Sequence, residues 1–96
     1  MLQKHKRTVD PNFLADMRKL PCIACGVNPP NEAHHIKTRG SGGGDDAFNI
    51  LPLCRLDHIL VHQLGDFKFY NAHPHLLEYL HEMGWTFDTR KKLTRT

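Results

Sequence analysis

The chain has 96 residues, of which 40% are hydrophobic, with three cysteines and a formal net charge of +3. This length and hydrophobic fraction exclude a disordered chain and predict one domain, over residues 1–96, with a small core. The odd number of cysteines argues against a disulfide framework, and no segment resembles a signal peptide or approaches the roughly 18 apolar residues that cross a membrane. We therefore expect a soluble cytoplasmic protein with reduced thiols and no membrane partner.

Basic residues are concentrated near the two ends of the chain. The expected basic tails, residues 1–7 and 90–96, hold seven of the thirteen lysines and arginines: Lys4, Lys6, Arg7, Arg90, Lys91, Lys92 and Arg95. The body between them, residues 8–89, has six basic and ten acidic residues. Basic ends favour phosphate backbones and other polyanions, and the alternative is that they only keep a small domain soluble.

The first half of the chain predicts a helix followed by a β-hairpin. Asp10 is suited to cap a helix over residues 11–20, which begins with a proline and ends before another. Its apolar residues fall on one helical face: Phe13, Leu14, Met17 and Leu20. A strand is expected over residues 32–36, and the segment FNILPL, residues 48–53, supplies the return strand. The glycine-rich segment between them is the hairpin connection, because it lacks the lysine and the helix of a phosphate-binding loop.

Two more helices and a strand are expected in the second half. Apolar spacing predicts a helix over residues 55–64, closed by Gly65. Another helix is expected to begin at Asn71 or Pro74 and to end at Gly84, and its buried face is formed by Leu76, Leu77, Leu80 and Met83. The segment WTFDT alternates apolar and polar residues, which favours a short last strand with its tryptophan in the core. Together these elements predict an α+β fold.

Three histidines have a spacing that suits a metal ion. His58 and His62 lie four residues apart on the predicted helix, so they share a face and can bind one ion. The hairpin can bring His34 against that face. Three neutral imidazoles leave positions open for water and substrate, as a catalytic metal site needs. The alternative, in a chain with eight histidines, is that these three are only solvated or core residues.

The ordered motifs HHI, FNI and HILVH resemble the HNH, or His-Me finger, endonucleases with the ββα-metal fold. Asn49 lies fourteen positions after His35, and the two helix histidines follow at the spacing of that family. The adjacent histidines resemble those of the DNase colicins, and the wider layout, over about residues 21–65, is similar to small phage and prophage HNH proteins. The resemblance implies a ββα-metal core with flanking N- and C-terminal helices and an enzyme that hydrolyses DNA.

The resemblance also implies a role for each motif residue. His34, His58 and His62 would hold a single catalytic divalent metal, His35 would be the general base, and Asn49 would brace the loop and orient that base. Successive strand residues face opposite sides, which fits His35 staying free of the metal beside His34. An imidazole with a pKa near 6.5 can take a proton from water at neutral pH. Hydrolysis would leave a 5′-phosphate and a 3′-hydroxyl, as in the family.

The identity of the catalytic metal stays open at this stage. Three imidazoles favour zinc, nickel, cobalt or manganese over magnesium, whereas cells contain abundant magnesium and the family includes magnesium users. Asp45 and Asp46 would add an oxygen ligand if the glycine-rich loop folds back. Three basic residues flank the expected site and are candidates for binding phosphates, with a solvated surface role as the alternative for each: Lys37, Arg39 and Arg55.

The cysteines form a second group of candidate ligands. Many HNH proteins carry two C-x-x-C pairs that hold a structural zinc. Cys22 and Cys25 form one such pair here, but the residue three positions after Cys54 is Asp57 instead of a second cysteine. Three thiolates and a carboxylate can bind zinc. The alternative is a relic knuckle in which the cysteines pack as small hydrophobic residues.

Two other functions remain open. A non-catalytic, metal-stabilised module that binds nucleic acid or a partner protein would need the metal ligands, but it would have no use for a free imidazole beside them. A toxin-like domain released from a larger protein would have a tight protein inhibitor. For a phage-type nuclease the expected partner is DNA, and the expected location is the host cytoplasm.

Overall fold

The computed structural model describes residues 7–95. Within them the chain forms four α-helices and four short strands: α1 (Pro11–Met17), β1 (Glu32–His35), β2 (Ile50–Leu53), α2 (Arg55–Leu64), α3 (Asp66–Asn71), α4 (Pro74–Glu82), β3 (Trp85–Phe87) and β4 (Leu93–Arg95). The strands make two separate antiparallel sheets, β1–β2 and β3–β4. The expected α+β class is confirmed. In the described part of the chain, every helix is too short or too polar to cross a bilayer.

Helix α1 begins as expected and ends earlier. The Asp10 carboxylate accepts a hydrogen bond from the backbone N–H of Phe13, which caps the helix. The regular helix ends at Met17, and Leu20, expected on its buried face, is 45% exposed. The backbone N–H of Leu20 bonds the carbonyl three residues back, so the last turn has the tighter 3₁₀ geometry, and the proline that follows disfavours a continued helix.

The β1–β2 hairpin forms as expected, with shorter strands. Its register pairs His34 with Leu51 and His35 with Ile50. Strand β2 begins only at Ile50, because Ala47–Asn49 form a 3₁₀ turn. Helix α2 follows directly and packs against both strands. Its predicted limits, Arg55–Leu64, are confirmed, with a capping bond to the Cys54 sulfur at its start and Gly65 at its end.

The second half contains two elements that were not expected. Helix α3 follows α2 immediately, since Gly65 has a φ of 85° and turns the chain between them. Strand β4 lies within residues 90–96, the expected basic tail, and pairs with β3. Residues 93–95 therefore form the second strand of a hairpin instead of a free tail. Lys4 and Lys6, in the other expected tail, lie outside the described residues.

The core lies between the hairpin and the helices that follow it. Its fully buried side chains come from β2, α3 and α4: Leu51, Leu53, Phe69, Tyr70, Leu76 and Leu80. Trp85 is only 4% exposed, and its indole N–H donates a hydrogen bond to the Phe48 carbonyl. The expectation of a core role for this tryptophan is confirmed. Helix α2 packs on this core through Val61, and His58 and His62 lie on a different part of its surface.

Candidate metal and catalytic site

His34, His58 and His62 come together at the junction of β1 and α2. Their ring centroids are 5.0, 5.4 and 5.1 Å apart, and one ligand nitrogen from each lies within 4.8 Å of the others. His34 is buried, His58 is half-buried and His62 is exposed. The group is therefore positioned to hold a metal ion with one side open to solvent, and three nitrogen donors suit a first-row transition metal or zinc.

Two further side chains orient these imidazoles. The Glu32 carboxylate lies 2.7 Å from Nδ1 of His58, which leaves Nε2 of that ring for an ion. Metal-bound histidines commonly make such a bond to a carboxylate. Glu32 reaches the site because it lies two residues before His34 on the same face of β1. The Tyr70 hydroxyl, from α3, is 3.2 Å from Nε2 of His34.

His34 is in the protonation state that a metal ligand needs. Burial, followed by the proximity of His58 and His62, lowers the pKa of His34 to about 3. The ring is consequently neutral at physiological pH, so no proton has to leave before a metal binds.

His35 faces away from this group and contacts a carboxylate. Its Nε2 lies 2.7 Å from Oδ1 of Asp45, and the two side chains are 15% and 4% exposed. The other Asp45 oxygen accepts a hydrogen bond from the backbone N–H of Asp10. That bond, together with His35 and the Arg39 guanidinium, holds the pKa of Asp45 below its ordinary value despite burial. Asp45 thus contacts Nε2 of the His35 ring and leaves the other ring nitrogen, Nδ1, free of this carboxylate.

The geometry does not favour the alternative in which Asp45 or Asp46 supplies a metal ligand. The loop folds back toward His35, so Asp45 pairs with that ring, and neither aspartate belongs to the described donor group around His34. Asp46 instead accepts a hydrogen bond from the Thr8 hydroxyl at 2.6 Å.

Asn49 holds the glycine-rich loop in place. Its buried amide bonds both backbone groups of Lys37, at 2.7 and 3.0 Å, and donates to the Gly44 carbonyl at 2.8 Å. Asn49 therefore ties the end of β1 to the residue that precedes Asp45. A side chain at Gly43 would collide with the Lys37 carbonyl, which explains a glycine there.

The three cysteines and Asp57 form a second group of possible ligands. One donor atom from each lies within 4.8 Å of the rest. The sulfur atoms of Cys25 and Cys54 are 3.8 Å apart, and an Asp57 oxygen lies 3.3 and 3.2 Å from those of Cys22 and Cys54. A tetrahedral zinc ion with sulfur ligands at about 2.3 Å holds them about 3.8 Å apart. The donor set therefore fits zinc in chemistry and in size.

No disulfide links these cysteines, and the Cys54 thiol has a raised pKa. All three are free. Burial raises the pKa of the Cys54 thiol to about 12; the backbone N–H of Asp57 opposes this shift, and hydrogen bonds with the Asp57 side chain and the other two thiols add to it. Without an ion, this thiol is protonated at neutral pH. Metal binding would displace the proton, so affinity should rise with pH.

The three basic residues expected to bind phosphate have different surroundings. A nitrogen of Arg39 is 3.9 Å from the Asp45 carboxylate, and one of Arg55 is 3.7 Å from Glu32. Lys37 is exposed beside Asn49 and has no ion-pair partner among residues 7–95. Two of the three therefore screen the carboxylates that orient the histidines.

Sequence reasoning missed the residues that support the histidines. Glu32 carried a usable signal, because a carboxylate two residues from a strand ligand shares its face. Asp45 was considered only as a metal ligand. Tyr70 carried no signal, since its helix was not predicted.

Comparisons with known proteins give one relative. No family model matches the chain, and no solved structure matches it. The chain is 35% identical over 65 residues to the uncharacterized protein YdfU of Escherichia coli (strain K12), and the match covers 64% of this chain and 18% of that protein. The chain thus spans less than a fifth of that relative's length, and the relative's name states no activity.

Proposed function

We propose that the protein is a metal-dependent endonuclease of the HNH type, which hydrolyses phosphodiester bonds in DNA. The observation that carries this proposal is the pairing of His35 with Asp45 beside three histidines that converge on one point. A module that uses metal only for folding has no need of an imidazole held by a carboxylate and directed away from the ion. The order of the HHI, FNI and HILVH motifs supports the same assignment.

His35 is the general base in this proposal. Asp45 is bonded to Nε2, so Nδ1 is the atom that takes a proton from the attacking water. The carboxylate of Asp45 then stabilises the imidazolium that forms, as an aspartate does in other histidine-based sites. Asn49 acts one step further away, because its bond to the Gly44 carbonyl fixes the residue before Asp45.

His34, His58 and His62 would hold the catalytic ion. A divalent ion bound there supplies Lewis acidity toward the scissile phosphate and offsets negative charge on the departing 3′ oxygen. His62 is exposed, so the phosphate can approach from its side. Glu32 keeps the Nε2 atom of His58 directed at the ion. Zinc, nickel, cobalt and manganese suit these nitrogen donors best, and magnesium remains an alternative.

For the second donor group, we propose a structural zinc ion held by Cys22, Cys25, Cys54 and Asp57. Four protein ligands leave no open position, as is usual for structural zinc. The ion would join the PCIACG turn to the start of α2, two segments about thirty residues apart in the chain. A domain of this size gains much from such a link.

A plasmid-nicking assay tests the nuclease. Supercoiled plasmid is incubated with the protein and a panel of divalent metals, with His35→Ala as the control. We expect metal-dependent conversion to nicked circles, and we expect His35→Ala to be slower by the roughly 10²–10⁴-fold typical of a lost general base. DNA that is bound but never cut, with every metal, would contradict the proposal and favour the non-catalytic binding module.

A further inference from the structure

A groove of about 960 Å³ lies between the glycine-rich loop and the β3–β4 hairpin. It opens beside the candidate site, since Lys37 and Asn49 line it and Asp66, which also lines it, interacts electrostatically with His62. Five cationic side chains reach its surface against two carboxylates, those of Asp46 and Asp66. The cations are Arg7, Lys37, Lys91, Lys92 and Arg95.

The positive charge of this groove is not neutralised within the described chain. Across residues 7–95, none of the five cations forms an ion pair with a carboxylate. Of the two acidic residues, Asp46 is engaged by the Thr8 hydroxyl. Unpaired cations that line one concave surface give a positive potential that attracts polyanions. The groove is thus complementary to a chain of phosphates.

Two of these cations are held in position before any ligand arrives. The Arg95 guanidinium stacks over the Phe48 ring at 3.6 Å, and its Nε donates to the Met83 carbonyl. Arg7 donates to the Arg39 carbonyl at 3.0 Å. Side chains that are already ordered lose less conformational entropy on binding. Both guanidinium groups keep further N–H donors for a phosphate.

The turn of the β3–β4 hairpin has a defined backbone geometry. Its backbone is fixed by Asp88, whose carboxylate accepts hydrogen bonds from the N–H groups of Arg90 and Lys92. Lys91 has a φ of 62°, the left-handed region that glycine adopts at lower cost. Lys91 lines the groove, and its ammonium group lies 5.0 Å from the centre of the Phe67 ring.

We propose that the β3–β4 hairpin and the glycine-rich loop form a groove that binds the phosphate backbone of the DNA next to the scissile bond. The inference rests on the proposed nuclease function for the identity of the polyanion. The hairpin strand β4 is then part of the substrate-binding surface, and the cations Lys91, Lys92 and Arg95 bind DNA without taking part in the chemistry.

The test measures how salt weakens DNA binding. A fluorescent duplex of about 30 base pairs is titrated, over roughly 50–200 mM salt, with His35→Ala protein, because its expected loss of rate keeps the duplex intact during the measurement. Added to this background, Lys91→Gln/Lys92→Gln removes two groove charges. Arg18→Gln/Lys68→Gln is the matched control, because it removes two exposed charges that lie outside the groove and, like the groove pair, have no ion pair among residues 7–95. We expect the slope of log affinity against log salt to fall by about one per lost contact for the groove pair only.

Folding is checked separately for each variant by thermal unfolding and by metal content. Arg95→Gln is expected to weaken binding, and Arg95→Lys to restore part of it, because lysine keeps the charge. Equal effects of the groove pair and the control pair would overturn the groove proposal, as would no effect of either. A parent protein that does not bind the duplex would also overturn it and would favour an acidic protein as the occupant.

The same variants separate this proposal from the nuclease proposal. If the groove variants weaken DNA binding but no metal supports plasmid nicking, the groove proposal is supported and the nuclease proposal is contradicted. If the protein nicks plasmid and the Lys91→Gln/Lys92→Gln variant has an unchanged kcat/KM, the nuclease proposal is supported and the groove proposal is contradicted.

Discussion

His34 and His35 are adjacent in β1 and face opposite sides of the strand. His34 is buried against the Tyr70 hydroxyl and the other two clustered histidines, whereas His35 is half-buried against Asp45. Because the side-chain period of a strand is two, one sequence motif places one imidazole in the donor group and the other against Asp45. In the proposed nuclease, the pair would therefore separate ion binding from proton transfer.

Substitution of either histidine should consequently lower the nicking rate for a different reason. His34→Ala removes a ligand, so metal should bind more weakly and excess metal should restore part of the nicking rate. His35→Ala leaves the donor group intact, so metal affinity should be unchanged, and excess metal should not restore a rate lowered by about 10²–10⁴-fold. Isothermal titration with zinc and the plasmid assay measure both quantities. Equal loss of metal in both variants would make the pair structural.

Asp45→Asn tests the carboxylate that orients His35. We expect kcat to fall by roughly tenfold or more while KM and metal affinity stay close to wild type, because the amide keeps the shape but cannot stabilise an imidazolium. Nitrogen NMR shifts of the His35 ring should report a changed tautomer preference. A merely structural aspartate would leave kcat and the tautomer unchanged.

The same variant has an expected pH signature. The Asp10 N–H, with His35, lowers the pKa of Asp45 in the folded state. A lowered pKa contributes stability that is present above the ordinary value, near 3.9, and is lost as pH falls through the lowered one. Asp45→Asn should therefore be less stable than wild type at pH 7, and the difference should shrink in acid. Denaturant midpoints at several pH values measure it.

At the scale of elements, α2 joins the two groups of possible ligands. Its first turn carries Asp57, one face further along carries His58 and His62, and Cys54 caps its start. Asp57 and His58 are neighbours that point to different groups, since successive helix residues are about 100° apart. A change in the position of α2 would thus disturb both sites.

Asp57→Cys tests the cysteine group directly. A fourth thiolate should bind zinc more tightly than a carboxylate does, so we expect slower release to a chelator and a higher melting temperature in the presence of zinc. Wild-type protein purified without added metal should already carry about one zinc atom. Three freely titrating thiols in native protein would instead support the relic knuckle.

Local signals were sufficient for some elements and not for others. Helix α2 was predicted with its limits because Gly65 and the apolar spacing lie within the segment itself. Helix α3 has only six residues and shares Gly65 with α2, so it has neither a separate start signal nor a long period. Strand β4 is polar and basic, and it is ordered by pairing with Trp85–Phe87, a contact that local patterns do not encode.

Local signals likewise predicted some residues of the candidate site and not others. The spacing of His58 and His62 follows from helix geometry, and His34 follows from the hairpin, so the cluster was predictable. Asp45 reaches His35 only because Asn49 and the tight packing at Gly43 fold the loop back. Such contacts depend on tertiary packing, which is why the residues that orient the histidines had to come from the structure.

For the whole molecule, the two groups of possible ligands have different mechanical roles. The cysteine group connects the PCIACG turn with α2, which are otherwise distant in the chain, and it offers four possible donors from the protein. The histidine group connects β1 with α2, which already pack together through the hairpin, and one ligand is exposed. An ion in the cysteine group should therefore support the fold, while an ion in the histidine group should mainly support chemistry.

Stepwise removal of metal tests this division. As a chelator is added to the zinc-loaded protein, we expect nicking to disappear first, because the histidine group offers three ligands and an open side. Far-ultraviolet circular dichroism should stay unchanged at that stage. A stronger chelator should then remove the ion of the cysteine group and cause cooperative unfolding, since a domain of this size has little core to lose. Readdition of metal after the first stage alone should restore nicking at once. Loss of activity and of helical signal in a single step would show that both ions serve the fold.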